Sequence, residues 1–148
     1  MRAWPLALIL TACTACGVGP TDVIRAGEAP RGFVQGTTLY FVRHGRLGPV
    51  TRPEGPLPAA ETVVLLTGGP TAQERERAFV TSLPKSLAVR VTGDAFVLGA
   101  STSRLPRMAT GQLVCTIAAA TAAERGVEVD DVRVTVPGKG QARCADFT

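Results

Sequence analysis

The stretch Thr37-Thr38-Leu39-Tyr40-Phe41-Val42 sets the reading of the chain, because it is uncharged and nearly all β-branched or aromatic. Such a run suits a largely buried strand. Gly45 and Gly48 allow a turn after it, and Pro49-Val50-Thr51-Arg52 is expected to return as a short second strand. Working outward, Pro58 through Leu66 reads as a helix, and Gly68-Gly69-Pro70 suits its stop. Thr71 and Glu74 have capping-box spacing, in which a hydroxyl and a carboxylate satisfy free backbone donors at a helix start. A short helix through Phe79 is expected there, forming one kinked element with the first.

The remaining segments complete the pattern. Leu87-Ala88-Val89-Arg90-Val91 alternates as a half-buried strand does, Gly93-Asp94 supplies turn residues, and Ala95-Phe96-Val97-Leu98 is its hairpin partner. From about Arg107 to Glu124 a longer helix places Leu113, Val114, Ile117 and Ala118 on an apolar stripe, with Gly126 just past its end. Val132, Val134 and Val136 alternate with polar residues before a Pro137-Gly138 turn, predicting a last strand. The order β-(β)-α-β-β-α-β predicts an α+β fold: one small mixed or antiparallel sheet with two helices packed on one face.

The chain has 148 residues, 45% hydrophobic and 19% charged, which fits a single folded domain and excludes a disordered chain. Its formal net charge of +4 includes Arg2 and comes with no block of consecutive Lys or Arg, so nucleic acid is not an expected partner. Met1-Arg2 followed by the uncharged run Ala3 to Leu10 has the layout of a secretory signal. The run is far shorter than the roughly 20 residues a membrane-spanning helix needs. Leu10-Thr11-Ala12-Cys13 then resembles the bacterial lipobox, whose cysteine thiol receives a diacylglyceryl group after which the signal is cleaved. Cys16 follows Thr14-Ala15 but has Cys13, not an aliphatic residue, three places upstream, so Cys13 is the expected lipidation site. Residues 1–12 are therefore read as signal peptide, 13–36 as a Gly- and Pro-interrupted flexible linker, and 37–148 as the folded domain. The implied location is extracytoplasmic, on the outer face of the cytoplasmic membrane, with the membrane itself a partner through the lipid at Cys13.

One motif invites an enzymatic reading. Tyr40-Phe41-Val42-Arg43-His44-Gly45 resembles the start of histidine phosphatases, where a strand delivers an Arg-His-Gly whose histidine attacks phosphorus. That chemistry requires cations for the phosphoryl oxygens, an acid for the leaving group and, in that family, a second histidine. His44 is the only histidine in the sequence, so the reading is rejected in favour of an exposed turn residue between Arg43 and Arg46. Ser82, Ser86, Ser101 and Ser103 have no nucleophile-elbow sequence around them. Glu74, Glu76, Asp130 and Asp131 read as a solvated helix face and a polar approach to a strand. No His-x-x-x-His spacing is present, and the lone Cys-x-x-Cys, Cys13 to Cys16, would lose a thiol to the lipid, so neither a metal nor a cofactor is expected. Cys115, on the long helix, and Cys144, after the last strand, are candidates for a disulfide worth roughly 3 to 4 kcal/mol outside the cytoplasm. The alternative is a free buried Cys115 acting as a small apolar residue with Cys144 exposed.

The ordered segments resemble a GerMN domain, a module of sporulation and germination lipoproteins. The resemblance rests on the Leu39-to-Val42 strand, Leu47 and Val50-Thr51-Arg52, Leu65-Leu66-Thr67-Gly68-Gly69-Pro70-Thr71 with Glu74 behind it, Thr81-Ser82-Leu83-Pro84, the Val89-to-Val97 hairpin, and Gln112-Leu113-Val114-Cys115-Thr116. It departs from the family at Gly68, where alanine is common, and at Arg43-His44 in the first turn. The family implies no catalytic residue and an envelope scaffold role. The expectation is therefore a non-enzymatic interaction module whose partner is an envelope protein or a second copy of the chain. The rival expectation is a lipoprotein binding a small ligand or glycan.

Overall fold

The computed structural model describes residues 36–99 and 104–148. The elements run β1 (Thr37–Arg43), β2 (Arg46–Arg52), α1 (Ala59–Thr67), α2 (Ala72–Glu76), β3 (Val89–Thr92), β4 (Ala95–Leu98), α3 (Arg107–Arg125), β5 (Val134–Val136) and β6 (Gly140–Ala142), with 3-10 turns at Val129–Asp131 and Cys144–Asp146. The α+β class is as expected, but in place of the single expected sheet the strands divide into two: an antiparallel β1-β2 ribbon and a mixed sheet of order β3-β4-β5-β6, in which β4 and β5 are parallel.

The reason for the division lies in α3. It is buried at every position from Ala109 to Ala122, so it is a central pillar and not a helix with one apolar stripe. Two of its polar residues, Gln112 and Thr116, stand one helical turn apart and lie against the outer edge of β1. The Tyr40 N–H donates to the Thr116 hydroxyl at 3.0 Å, and the Gln112 amide donates to the Tyr40 carbonyl at 3.1 Å. Gln112 also accepts from the Ser82 N–H at 2.6 Å. Val42 exchanges two backbone bonds of 2.8 Å with Val80. These contacts occupy the groups that a third strand would need, so the ribbon ends there.

On one ribbon face Leu39 and Phe41 are fully buried in the main core with Val63 and Leu66 of α1 and Leu113 and Ile117 of α3. On the other, Val42 and Leu47 pack around Cys115 and Cys144, which are bonded to each other across 29 residues. Gly111 permits this approach. A Cβ there would lie 2.8 Å from the Leu47 Cδ1 and 2.9 Å from the Phe147 ring.

Two further details differ from expectation. The first two helices are separate elements: α1 stops at Thr67, and Gly69, with φ +79, redirects the chain before the Thr71 capping box opens α2. Strand β6 was not foreseen, because Gly140-Gln141-Ala142 contains no β-branched or aromatic residue. The Pro137-Gly138 turn brings it antiparallel to β5.

Candidate functional site

Arg43-His44-Gly45-Arg46 forms a two-residue hairpin turn. His44 (φ 51) and Gly45 (φ 77) are both left-handed, as a type I′ turn requires, and Arg43 pairs with Arg46. His44 is exposed. It therefore sets the twist of the ribbon, and histidine is among the non-glycine residues that tolerate this conformation.

Glu74 requires a correction. It is not part of a solvated helix face; it is 6% exposed. Its carboxylate accepts from the Arg52 Nε at 3.0 Å and Nη2 at 2.8 Å, and from the Thr71 N–H at 2.7 Å. The same Arg52 Nη2 donates to the Gly69 carbonyl at 3.0 Å. The Arg52 hydrogen bonds hold the Glu74 carboxyl below the usual carboxylate range against the opposing effect of burial, with the Thr71 backbone bond also lowering it. The sequence signal was present in the capping-box spacing, but nothing in it paired Glu74 with Arg52. The pair joins the end of β2 to the start of α2, so its role is architectural.

Among the described residues no group of three or more His, Cys, Asp or Glu is placed to hold a metal ion. Cys115 and Cys144 are joined and buried, while Cys13, Ser101 and Ser103 lie outside the described residues. Among the described residues Ser82 bonds Gln112 through its backbone N–H, Glu74 pairs with Arg52 and Asp94 with Arg125, and none of these contacts includes His44.

A concave feature among the described residues lies elsewhere, between α1 and the β3-β4 hairpin. It is a groove of about 600 Å³ with Val63, Val64 and Thr67 on the helix side and Val89, Arg90 and Val97 on the sheet side. Val64 and Val97 are 69% and 57% exposed, unusual values for large apolar side chains of a small core. Strand β3 is an edge of its sheet. Gly93 has φ 58 at the first turn position, and Thr92 pairs with Ala95. The Gly99 N–H donates to the Ala88 carbonyl at 2.7 Å. Antiparallel ladders alternate, so residues 88, 90 and 92 bond to β4 while the backbone groups of Val89 and Val91 point outward along the groove. Neither Val64 nor the outward register was singled out by the sequence, since exposure depends on how α1 is rotated against the sheet. Comparison with protein-family models, with curated proteins and with solved structures finds no match to this chain.

Proposed function

We propose that the chain is a membrane-tethered, extracytoplasmic lipoprotein, acylated at Cys13, whose GerMN-like domain is a non-enzymatic module that binds an extended segment of an envelope protein along β3. The observation that supports this reading is the open β3 edge beside an apolar groove. An extended peptide added there would gain main-chain hydrogen bonds from Val89 and Val91, and its apolar side chains would enter against Val64 and Val97.

Charge selects the occupant. Arg90 is exposed and forms no ion pair among the described residues. Two copies pairing antiparallel through Val89 and Val91 would place Arg90 directly opposite Arg90, a destabilising like-charge pair. A partner strand carrying a carboxylate at that place would instead be stabilised. The groove lining contains no aromatic ring on which a sugar could stack, which weighs against a glycan.

The module is tested by placing a photoreactive phenylalanine analogue at Val97 in cells. The expected product joins Val97 to an acidic extended segment of one other envelope protein, and Val91→Pro, which removes an outward N–H, abolishes it. A product containing only a second copy, or one indifferent to Val91→Pro, overturns the reading. The tether is tested separately with a palmitate analogue: label is expected on the wild type and absent from Cys13→Ala, and label that survives the substitution removes the assignment.

A further inference from the structure

The far end of the β1-β2 ribbon carries a second surface of different chemistry. Arg43 and Arg46 are directly opposed across the turn, a like-charge pair that costs stability. Arg43 lies over the Phe79 ring at 5.4 Å from its centroid and Arg77 lies over the same ring at 5.6 Å. Gly48 gives the ring its seat, for a Cβ there would stand 3.2 Å from the Phe79 Cε1. None of the three arginines forms an ion pair among the described residues.

The backbone that aims Arg77 and Phe79 is itself unusual. Ala78 sits at φ 64. The Phe79 N–H donates to the Glu74 carbonyl at 3.0 Å and the Ala78 N–H to the Arg75 carbonyl at 2.9 Å. This is a Schellman ending of α2 with alanine where glycine is usual, a strained position held by its surroundings. Immediately beyond it, Val80 is 53% exposed although both of its backbone groups are bonded to Val42. An exposed valine is thus fixed one residue beyond the ring that carries Arg43 and Arg77.

We propose that this ribbon tip docks on the anionic phospholipid surface of the membrane, the arginines on headgroup phosphodiesters and Val80 at the boundary with the acyl chains. Guanidinium forks match phosphate oxygens in geometry and charge. Cationic side chains together with an exposed apolar one at the same end of a domain are a combination that partitions to a lipid interface. The tip stands roughly 20 Å of strand from Thr37. The 24 residues from Cys13 to Gly36 have a contour of at most roughly 80 Å. The tip can therefore reach the surface to which the proposed tether would attach, giving the domain a second contact that fixes its orientation. The inference takes its setting from the tethered reading, but the surface chemistry stands without acylation.

The test uses the full chain with Cys13→Ala, so that no acyl group contributes, and vesicles of phosphatidylcholine with or without about one third phosphatidylglycerol. Preferential cosedimentation with the anionic vesicles is expected. Reversal of the tip in R43E/R46E/R77E should weaken it on the order of a hundredfold, while R125E/R133E/K139E, with the same change of net charge elsewhere, should weaken it less than about tenfold. Val80→Asp, which leaves the arginines and the Phe79 stack in place, should weaken it severalfold and guards against misfolding of the triple variant. Equal loss in the two triple variants, equal binding to both vesicles, or displacement by millimolar inorganic phosphate overturns the proposal. Palmitate labelling reads the tether independently of all these outcomes.

Discussion

The outer edges of β2 and β3 offer the same backbone chemistry to solvent, yet they are finished in opposite ways. On β2 the outward positions are Leu47, Pro49 and Thr51, because the two-residue turn makes Arg43 and Arg46 a bonded pair and the ladder alternates from there. Pro49 has no N–H to offer, so another strand cannot propagate along that edge. On β3 the outward positions are Val89 and Val91, with no proline and with an apolar groove alongside. The ribbon is also tied inward by an ion pair and two α3 side chains and packs against the Cys115–Cys144 disulfide, whereas the β3-β4 hairpin and α1 leave a groove between them. A closed side and an open side within one small domain argue that the open side is a place for something else.

The largest expected break in this comparison comes from the closed side. Glu74→Ala leaves the largely shielded Arg52 guanidinium without its carboxylate and removes the α2 capping box, and together these should cost about 3 kcal/mol in denaturant unfolding. The sign of the pH effect follows from the lowered carboxyl. Its stabilising contribution is complete above the unfolded-state value near 4.3 and is lost as pH falls through the lower folded-state value. Wild-type stability should therefore drop more steeply below about pH 4.3 than that of Glu74→Ala. Parallel pH profiles would refute the assignment of the pair.

Next in size is Gln112→Leu. The side chain is fully buried and serves the Tyr40 carbonyl and the Ser82 N–H, so its loss strands two polar groups for about 2–4 kcal/mol, at 1–3 per group with partial relaxation. Amide exchange should rise at Ser82 in particular. An unchanged midpoint would mean that β1 is held by packing alone and that Gln112 does not end the sheet.

These two residues show where the sequence was readable. Element types in the ribbon, the hairpin and the long helix follow from β-branched runs and apolar spacing, which depend on each segment's own residues. Gln112 and Thr116 were not legible as anchors, because next to the apolar Leu113, Val114, Ile117 and Ala118 they pass for the polar side of an amphipathic helix. The available signal was that no charge occurs between Arg107 and Glu124, which marks a helix buried all round. The partnership of Glu74 with Arg52 and the openness of β3 arise from tertiary placement, and neither leaves a local pattern. Cys115 and Cys144 were legible as a pair only through the order of their elements.

A smaller effect with the opposite sign is expected at Ala78→Gly. The left-handed backbone costs a residue with a Cβ roughly 1 kcal/mol, and glycine returns part of this by loosening the unfolded chain, so a net gain of about 0.5 kcal/mol is expected. If the variant is less stable, the methyl group of Ala78 supplies packing that outweighs the strain. In either case vesicle binding through Arg43 and Arg77 should persist, since the Schellman bonds that aim Phe79 do not use the side chain.

The smallest effect belongs to the open side and is the sharpest test of it. Val63 and Val64 are neighbours on α1, 2% and 69% exposed, and both line the groove. Threonine has nearly the shape of valine and adds one hydroxyl. At Val63 that hydroxyl must be desolvated in the core, so Val63→Thr should cost about 1–3 kcal/mol. At Val64 it remains in water, so Val64→Thr should change stability by less than about 0.5 kcal/mol, and so should Val97→Thr. Equal costs at Val63 and Val64 would mean that the groove is filled in the folded chain and that β3 has no vacancy to offer. A difference between them locates the apolar surface that folding leaves unused, and the free backbone of Val89 and Val91 beside it is what gives that surface a direction along which a strand can add.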